Sequence, residues 1–373
     1  MKIKVTIGLL AITFAITAEA QIRKTPVRFP DAGEYKVLKA DFHIHTFFSD
    51  GNVSPVTRVE EAYSEDLDVI AISDHIEYRP NLPDKTTTNH NRSYELAKDA
   101  ALGSDLILIH SAEITRAMPP GHFNAIDIKD ANPLENFVNK NQWSDSTHVT
   151  EALKEAKRQG AFLFWNHPAF PTPDNKSTWH PAHQRLLDEG LMMGIEIVNG
   201  ERYEPIAFQW CLDHNLTILA NTDVHNTMAQ KRSIDGFKVM TLVLARSKTH
   251  NDVMDALLNQ RTVAVWNNQL IGRKEHVEPI FQNSIKAVLH KRGDFYLFEY
   301  VNESGFPFTL QITDIPEGFR MRNDLIITVN PYETVAFPSS VKGERPEKIS
   351  VKVVNLWIKP DENLETVMKI VNY

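Results

Sequence analysis

The sequence predicts an α/β protein in which a β/α barrel precedes a small all-β domain. From about residue 38 to 272, short β-rich apolar runs alternate with segments whose apolar residues repeat at the helical period. This alternation is typical of parallel βαβ units. After about residue 275 the helical period disappears, and short strand-like runs separated by Gly, Pro and Asn turns follow. In the first region, imidazoles and carboxylates gather where the strand-like runs end.

The first twenty residues have the features of a signal peptide. Lys2 and Lys4 precede an apolar run from Ile7 to Ile16, and Ala18-Glu19-Ala20 matches a cleavage site before Gln21. The apolar run is too short to span a bilayer as a lone anchor. We therefore expect export to the periplasm or the medium, with no membrane span after cleavage. The alternative is a buried or membrane-anchoring N-terminal helix.

The bulk composition narrows the classes of function. The 373-residue chain has a net charge of -8 and 42% hydrophobic residues, which is an ordinary globular balance. It has no basic footprint for non-specific nucleic-acid binding. Cys211 is the only cysteine, so no internal disulfide can form. We interpret Cys211 as a core residue of a helix, with a catalytic thiol as the alternative.

The barrel is expected over 21–274. Its strands are predicted at Leu67–Ile72, Asp105–Ile109, Ala161–Trp165, Gly194–Val198, Leu216–Ala220 and Phe237–Ala245, after a first strand-like stretch at Tyr35–Ala40. Further helices are predicted at Thr147–Arg158, Glu204–His214 and Asn251–Gln260.

The first helix is predicted to begin at Ser54-Pro55, with Ser as N-cap and Pro at the first helical position. Val56, Val59, Ala62 and Tyr63 are expected on one side of it.

The second domain is expected over 275–373 as a sandwich of short strands that packs against the barrel. Its strands are predicted at Phe295–Val301, Phe308–Ile312, Leu325–Val329 and Ile349–Val354. The domain either caps the barrel or binds a ligand, and the sequence leaves both open.

Residues of the types that bind metals follow the strand-like runs. They are His43, His45, Asp50, Asp74, His75, Glu113, His122, His167, Asp223 and His225. In β/α barrels the active site lies at the carboxyl ends of the strands. Imidazole and carboxylate together suit Zn, Mn or Fe, and carboxylates that converge without cations would repel each other. Each residue alone has an ordinary structural role open to it, as an N-cap, a turn residue or a hydrogen-bonded core histidine.

The order of these motifs resembles the PHP family, the polymerase and histidinol phosphatase superfamily, over about 40–270. The matching motifs are His43-x-His45, Ser49-Asp50-Gly51, Ser73-Asp74-His75, Glu113, His122, Asn166-His167-Pro168 and Asp223-Val224-His225. The resemblance implies a distorted (β/α)7, TIM-like barrel with two or three divalent ions. The export signal and the C-terminal β region make the layout similar to exported PHP phosphodiesterases of the Sphingobium type.

The resemblance also implies how the ligands divide among the ions. His43, His45, Glu113 and Asp223 would hold the first ion, and Asp50, His75 and His225 the second. Glu113 would bridge to a third ion held with His122 and His167. Asp50 stands where the histidinol phosphatase branch often has His, which is a departure from that branch.

We therefore expect a metal-dependent hydrolase of small phosphate esters, a phosphodiesterase that uses a metal-bridging hydroxide as nucleophile. Arg79, Arg116 and Arg202 are candidates for substrate binding because the arginine fork matches phosphate oxygens. Asp74 and His90 are candidates for carrying protons or for contacting the metal ligands from behind, and Arg116 is a further catalytic candidate.

The alternatives are a phosphomonoesterase of the histidinol-phosphatase type and a non-catalytic exported protein that binds metal or carbohydrate. A proofreading nuclease fits poorly with the net acidity and the export signal. Oligomeric state is not predicted.

Overall fold

The computed structural model describes residues 27–81, 86–137, 146–172, 174–231, 239–293, 295–321 and 326–373. The predicted signal peptide at 1–20 lies outside the described residues, as does Phe237, the start of one predicted strand. Among the described helices, none is long and apolar enough to cross a bilayer.

The first region carries strands β1 Lys36–Ile44, β2 Val69–Ile72, β3 Ile107–Ile114, β4 Phe123–Ile126, β5 Phe162–Trp165, β6 Gly194–Asn199, β7 Arg202–Tyr203, β8 Thr217–Asn221, β9 Met240–Ala245, β10 Thr262–Trp266 and β11 Gln269–Gly272. β2, β5, β6 and β8 lie within two residues of their predicted bounds, and β1, β3 and β9 differ by more at one end. The other four strands, β4, β7, β10 and β11, were not predicted. Almost every residue of β2, β4, β5, β8 and β9 is buried, as strands covered on both faces require.

The strand pairings follow a mixed pattern. β1, β2 and β3 pair in parallel, and so do β5, β6 and β8. β4 lies antiparallel between β3 and β5. A bridge between Ile44 and Val224 returns the segment after β8 to the end of β1. The predicted α/β class is confirmed as a mixed one. The parallel order expected of all these strands is wrong for β4 and for β9, which pairs antiparallel with β1 and β10.

The helices are α1 Pro55–Ser64, α2 Arg92–Ala100, α3 Ser146–Arg158, α4 Pro181–Asp188, α5 Pro205–Asp213, α6 His250–Leu258 and α7 Lys274–Ser284. The predicted start of α1 is confirmed, because the Ser54 side chain accepts a hydrogen bond from the Thr57 amide. Cys211 is buried in α5, as interpreted from the sequence.

The predicted face of α1 is wrong in part. Val59 and Ala62 are buried, but Val56 and Tyr63 are 41% and 44% exposed. The inward position beside Val59 is taken by Arg58, which is fully buried. A periodicity that counts only apolar residues could not place this arginine inside.

The second region carries β12 Ile285–Arg292, β13 Phe295–Asn302, β14 Phe308–Asp314, β15 Phe319–Met321, β16 Ile326–Val329, β17 Thr334–Val341, β18 Lys348–Lys359 and β19 Glu362–Asn372. The expectation that helical periodicity ends near 275 is wrong, since α7 runs to Ser284. Pro279 inside α7 reads as a turn in the sequence, yet Val277, Ile280 and Phe281 form a buried stripe.

Pairing and packing continue across the two regions. β11 pairs in parallel with β18, where Ile271 lies opposite Trp357. α7 packs against β10 and β11 of the first region and against β12, β18 and β19 of the second. The division at 274/275 stays a prediction, and it falls at the start of a helix shared by both regions.

Candidate metal centre

The carboxyl ends of the central strands meet at one rim, and the chain concentrates its imidazoles there. His43 lies near the end of β1, and His75, His167 and His225 follow β2, β5 and β8. His122 precedes β4, and the antiparallel direction of β4 brings its amino end to the same rim. Although β4 is antiparallel, the residue before it, His122, therefore lies at the same rim as the other imidazoles.

Four donor atoms converge at the centre of the rim. His43 Nε2 lies 3.1 Å from His45 Nε2, 3.1 Å from Glu113 Oε2 and 3.3 Å from Asp223 Oδ1. His45 Nε2 lies 3.2 Å from Glu113 Oε2 and 3.0 Å from Asp223 Oδ1. Tetrahedral ligands about 2.05 Å from one ion would be about 3.3 Å apart. These five spacings are close to the separation expected of ligands that share one ion.

A second group lies beside the first. His225 Nε2 is 3.1 Å from Asp50 Oδ2, and His75 Nε2 is 3.6 Å from Asp50 Oδ1. His45 is close enough to join this group. Asp50 owes its position to a tight turn, because a Cβ on Gly51 would lie 2.8 Å from the His45 carbonyl carbon.

Glu113 connects the first group to a third. Its Oε1 lies 2.7 Å from His122 Nδ1 and 3.8 Å from His167 Nε2, while Oε2 faces His43 and His45. The structure thus brings all nine predicted metal-binding residues into one cluster. Their assignment to individual ions stays a prediction.

The shifted pKa values in the cluster also indicate that its carboxylates favour positive charge beside them. Burial would lower the pKa of His45, but hydrogen bonds and charges from Asp223 and Glu113 raise the pKa to about 9. Burial would raise the pKa of Asp223, but the charge of His43 is the leading cause that holds this pKa well below its usual range. Protons on the imidazoles occupy the place that a divalent cation would take.

Most of the histidines present Nε2 to the cluster because Nδ1 has another partner. Nδ1 of His75 lies 2.6 Å from Thr115 Oγ1, and Nδ1 of His225 lies 2.9 Å from the Asp223 carbonyl oxygen. Such outer contacts fix the ring orientation of metal-binding histidines.

Glu196 is a functional candidate that the sequence reasoning missed. Its carboxylate is fully buried, with Oε1 3.0 Å from His43 Nδ1 and 2.9 Å from the donating Asn221 side chain. Oε2 accepts hydrogen bonds from the His167 amide and from Asn199. The available signal was an acid within the otherwise apolar run of β6, which a buried strand tolerates only with partners.

Asp74 supports the loop after β1 and does not line the cavity that opens over the cluster. Its carboxylate accepts hydrogen bonds from the Thr46 amide and hydroxyl, each 2.7 Å long, and from Ser49 Oγ at 2.8 Å. Ser49 Oγ lies 3.3 Å from His45 Nδ1. The contacts make Asp74 a positioning group for the loop that carries His45 and Asp50.

A cavity of about 650 Å³ opens over the cluster. Arg116 and Arg202 line it, and each is already paired: Arg116 with buried Glu77, and Arg202 with Glu204. Phe170, 56% exposed, faces His122 and His167 edge-on.

Arg79 and His90 lie away from the cavity lining. The Arg79 guanidinium donates to the Phe48 and Thr87 carbonyls and lies 3.3 Å from His90 Nδ1. His90 Nε2 is 2.8 Å from Glu135. Both residues hold loops together in this structure, and their roles with substrate stay predictions.

A solved structure resembles the chain over nearly its whole length. It is a two-domain protein from Bacteroides vulgatus containing a predicted PHP-like metal-dependent phosphoesterase, 35% identical. The match covers 93% of this chain and 99% of that one, with a TM-score of 0.83. A candidate metal-dependent phosphoesterase from Bifidobacterium adolescentis is 15% identical over 59% of this chain and 96% of its own, with a TM-score of 0.41. No family model and no curated protein matches the chain.

Proposed function

Because the chain belongs to the PHP-like metal-dependent phosphoesterases, we propose that it hydrolyses phosphate diesters at the rim cluster. The observation that carries the proposal is that His43 and His45 each lie within 3.3 Å of both Glu113 and Asp223 beneath an open cavity. When bound, divalent ions would acidify a bridging water into a nucleophile and offset charge on the phosphoryl oxygens. The donor set suits zinc, manganese or iron.

The proposed division of ligands gives three ions. The first would be held by the four residues just named, the second by Asp50, His75 and His225, and the third by Glu113 with His122 and His167. The contacts of Glu113 through both carboxylate oxygens support its proposed bridging role.

The charge of the cavity favours a diester over a monoester. A phosphate diester carries one negative charge, and a monoester carries two near neutral pH. Among the described residues that line the cavity, the arginines are Arg116 and Arg202, and each is already neutralised by a carboxylate. Little positive charge beyond the ions is left for a dianion.

The shape of the cavity provides for a second ester arm. Tyr78 and Phe170 line it with large exposed ring surfaces, 46% and 56% exposed. Tyr78 lies beside His75, and Phe170 lies beside His122 and His167. Apolar walls around a few polar groups are typical of sites for small organic ligands.

The proposal includes the finer features expected from the sequence. Strands β1 to β6 and β8 would form the distorted (β/α)7 barrel, which the Ile44–Val224 bridge supports. Residues 1–20 support export and a periplasmic or secreted location, as in the Sphingobium-type enzymes.

The test is hydrolysis of bis(p-nitrophenyl) phosphate and p-nitrophenyl phosphate with added Mn²⁺ or Zn²⁺, before and after chelation. We expect the diester to give the higher kcat/KM, and chelation to abolish turnover until metal is restored. His43→Ala should lower kcat by several orders of magnitude. His290→Ala, which removes a histidine paired with Glu299 on β13, is the control and should not. Turnover that survives complete chelation would contradict the metal mechanism.

A further inference from the structure

Arg58 lies outside every motif that the sequence points to, yet it contacts two of the three loops that carry the second group of metal donors, those after β1 and β8. Arg58 lies on α1 and is fully buried. A buried guanidinium is costly unless its charge and its donors are matched. The partners of Arg58 therefore show what it holds in place.

The guanidinium bonds three backbone carbonyls on two loops. Nε donates to the His45 carbonyl at 2.8 Å, on the loop after β1. The Nη2 atom donates to the Val224 carbonyl at 2.9 Å, and Nη1 to the Asn226 carbonyl at 2.8 Å, on the loop after β8. These last two carbonyls flank His225.

Glu61 completes the arrangement from one turn along α1. One of its carboxylate oxygens lies 2.6 Å from Arg58 Nη1, and the other accepts a hydrogen bond from the Met228 amide at 2.8 Å. The pair thus fixes the guanidinium and the far end of the β8 loop together. Two backbone bonds also join the loops, from the His45 amide to Val224 and from the Asn52 amide to His225.

We propose that Arg58 is a positioning residue that sets the spacing of the β1 and β8 loops, and through it the ion site of Asp50, His75 and His225. The inference rests on the metal centre of the proposed function. The first ion site includes His45, whose carbonyl Arg58 binds, but it depends less on Arg58 because Glu113 and Glu196 hold its other histidine, His43, from β3 and β6. Loss of Arg58 should therefore weaken one ion selectively.

Arg58→Lys tests this because it keeps a positive charge but replaces a planar fork with a single ammonium group. Metal content and affinity are measured by elemental analysis and by Mn²⁺ or Zn²⁺ titration against a fluorescent chelator. We expect the weakest-bound ion to lose about 10- to 100-fold in affinity, the range for outer-shell partners. The remaining stoichiometry should match that of His225→Ala.

Arg92→Lys is the matched control. Arg92 also pairs with a glutamate three residues on, Glu95, but both side chains are exposed on α2. This variant should bind metal like the unaltered protein. Glu61→Gln, which loosens the guanidinium without removing it, should give an intermediate loss and serves if Arg58→Lys does not fold.

Hydrogen exchange supplies a readout that does not depend on activity. In Arg58→Lys the amides of His45 and Asn52, which bond across the two loops, should exchange faster, while those of β5 and β6 should not. Unchanged metal affinity and exchange in Arg58→Lys would overturn the positioning role, as would equal loss of all ions. If the unaltered protein bound no divalent ion, the metal centre itself would fail.

Discussion

The buried carboxylate of Glu196 lies behind a metal-binding imidazole and determines which nitrogen of that imidazole is left for an ion. Glu196 accepts from the side of His43 that faces away from the cluster, which leaves His43 Nε2 for an ion. Such a contact also raises the basicity of the imidazole as a ligand. Glu196 therefore acts on the ion through His43, although it also lies at the cavity wall.

The residue-scale prediction for Glu196 is a loss of metal affinity or kcat of about 10- to 100-fold in Glu196→Gln, the range for outer-shell partners of metal ligands. The amide keeps the size of the side chain but can present its NH2 group to His43 Nδ1. Chelator titration and steady-state kinetics measure the effect. Glu299→Gln, which alters the partner of His290 far from the rim, is the control. Equal metal affinity in both variants would show that Glu196 only fills space.

Arg116 is expected to matter first for stability. Its guanidinium and the Glu77 carboxylate are 4% and 6% exposed, and Arg116 also donates to the Phe137 carbonyl. Arg116→Ala leaves a buried carboxylate without its partner, so we expect the free energy of unfolding to fall by about 3–5 kcal/mol. Urea denaturation measures it.

The exposed Lys154–Glu151 pair provides the comparison, and Lys154→Ala should leave the free energy of unfolding nearly unchanged because solvent screens the pair. A stable Arg116→Ala protein with raised KM would return Arg116 to the substrate-binding role expected from the sequence.

The residue types in the sequence were enough to identify the metal-binding candidates, but not the buried residues that hold them in position. The nine metal-binding candidates could be found because His, Asp and Glu interrupt apolar runs at strand ends. Arg58 could not, since an arginine on a helix has no local mark of burial, and the acid in the apolar run of β6 marked Glu196 as buried without identifying its partners. The carbonyls that Arg58 binds lie 13 to 168 residues away, and His43 lies 153 residues from Glu196.

At the scale of elements, strand direction decides which side chains reach the rim. The sequence predicted β/α alternation, and the strand bounds followed from apolar runs with turn residues between them. The antiparallel β4 could not be predicted, because its direction is set by pairing with β3 and β5. His122 was still found, since a residue just before an antiparallel strand lies at the same rim as one just after a parallel strand.

The segment after β5 places Phe170 beside the cluster, and its ring is expected to contact the substrate. The Phe170 amide donates to the His167 carbonyl at 2.8 Å, a tight turn that sets the phenyl ring beside the cluster. Phe170→Ala should lower kcat/KM for a diester with a retained phenyl arm by roughly 2- to 10-fold, from about 0.5–1.5 kcal/mol of ring contact. A methyl arm with the same p-nitrophenol leaving group should be unaffected.

Because Phe170 is largely exposed, the free energy of unfolding should change little in this variant. Equal losses for the phenyl and methyl diesters would mean that the ring orders the His167 turn and does not contact the ester arm.

For the whole molecule, folding and metal binding are coupled by the charge of the cluster. Without an ion, protonated His45 and His43 balance Glu113 and Asp223. The pKa of His45, about 9 in the folded protein, exceeds the ordinary histidine value of about 6.5. Its protonation therefore stabilises the metal-free fold fully below pH ~6.5, and this stabilisation is lost as the pH rises through about 9.

Between pH 7 and 9, groups outside the cluster, such as His250, whose pKa is raised by the Asp127 carboxylate, contribute alike to the metal-free and the metal-bound protein. Burial raises the pKa of Asp41 to about 6 and lowers the pKa of His122 to about 4, so both have finished titrating in the fold below pH 7. Burial raises the pKa of Cys211 to about 12, and this affects metal-free and metal-bound protein equally. In this window the difference between the two forms depends on the cluster.

We therefore expect the increase in Tm on saturating with Zn²⁺ or Mn²⁺ to grow from pH 7 to pH 9. The metal-free fold loses the stabilising proton on His45 toward the upper end of this range, while metal binding needs the imidazole neutral. Thermal unfolding followed by circular dichroism, with and without chelator, measures the difference at each pH. His43→Ala should flatten the trend, and His290→Ala should keep it. A metal-induced shift that is constant or shrinks with pH would mean that the ions do not displace protons from these imidazoles.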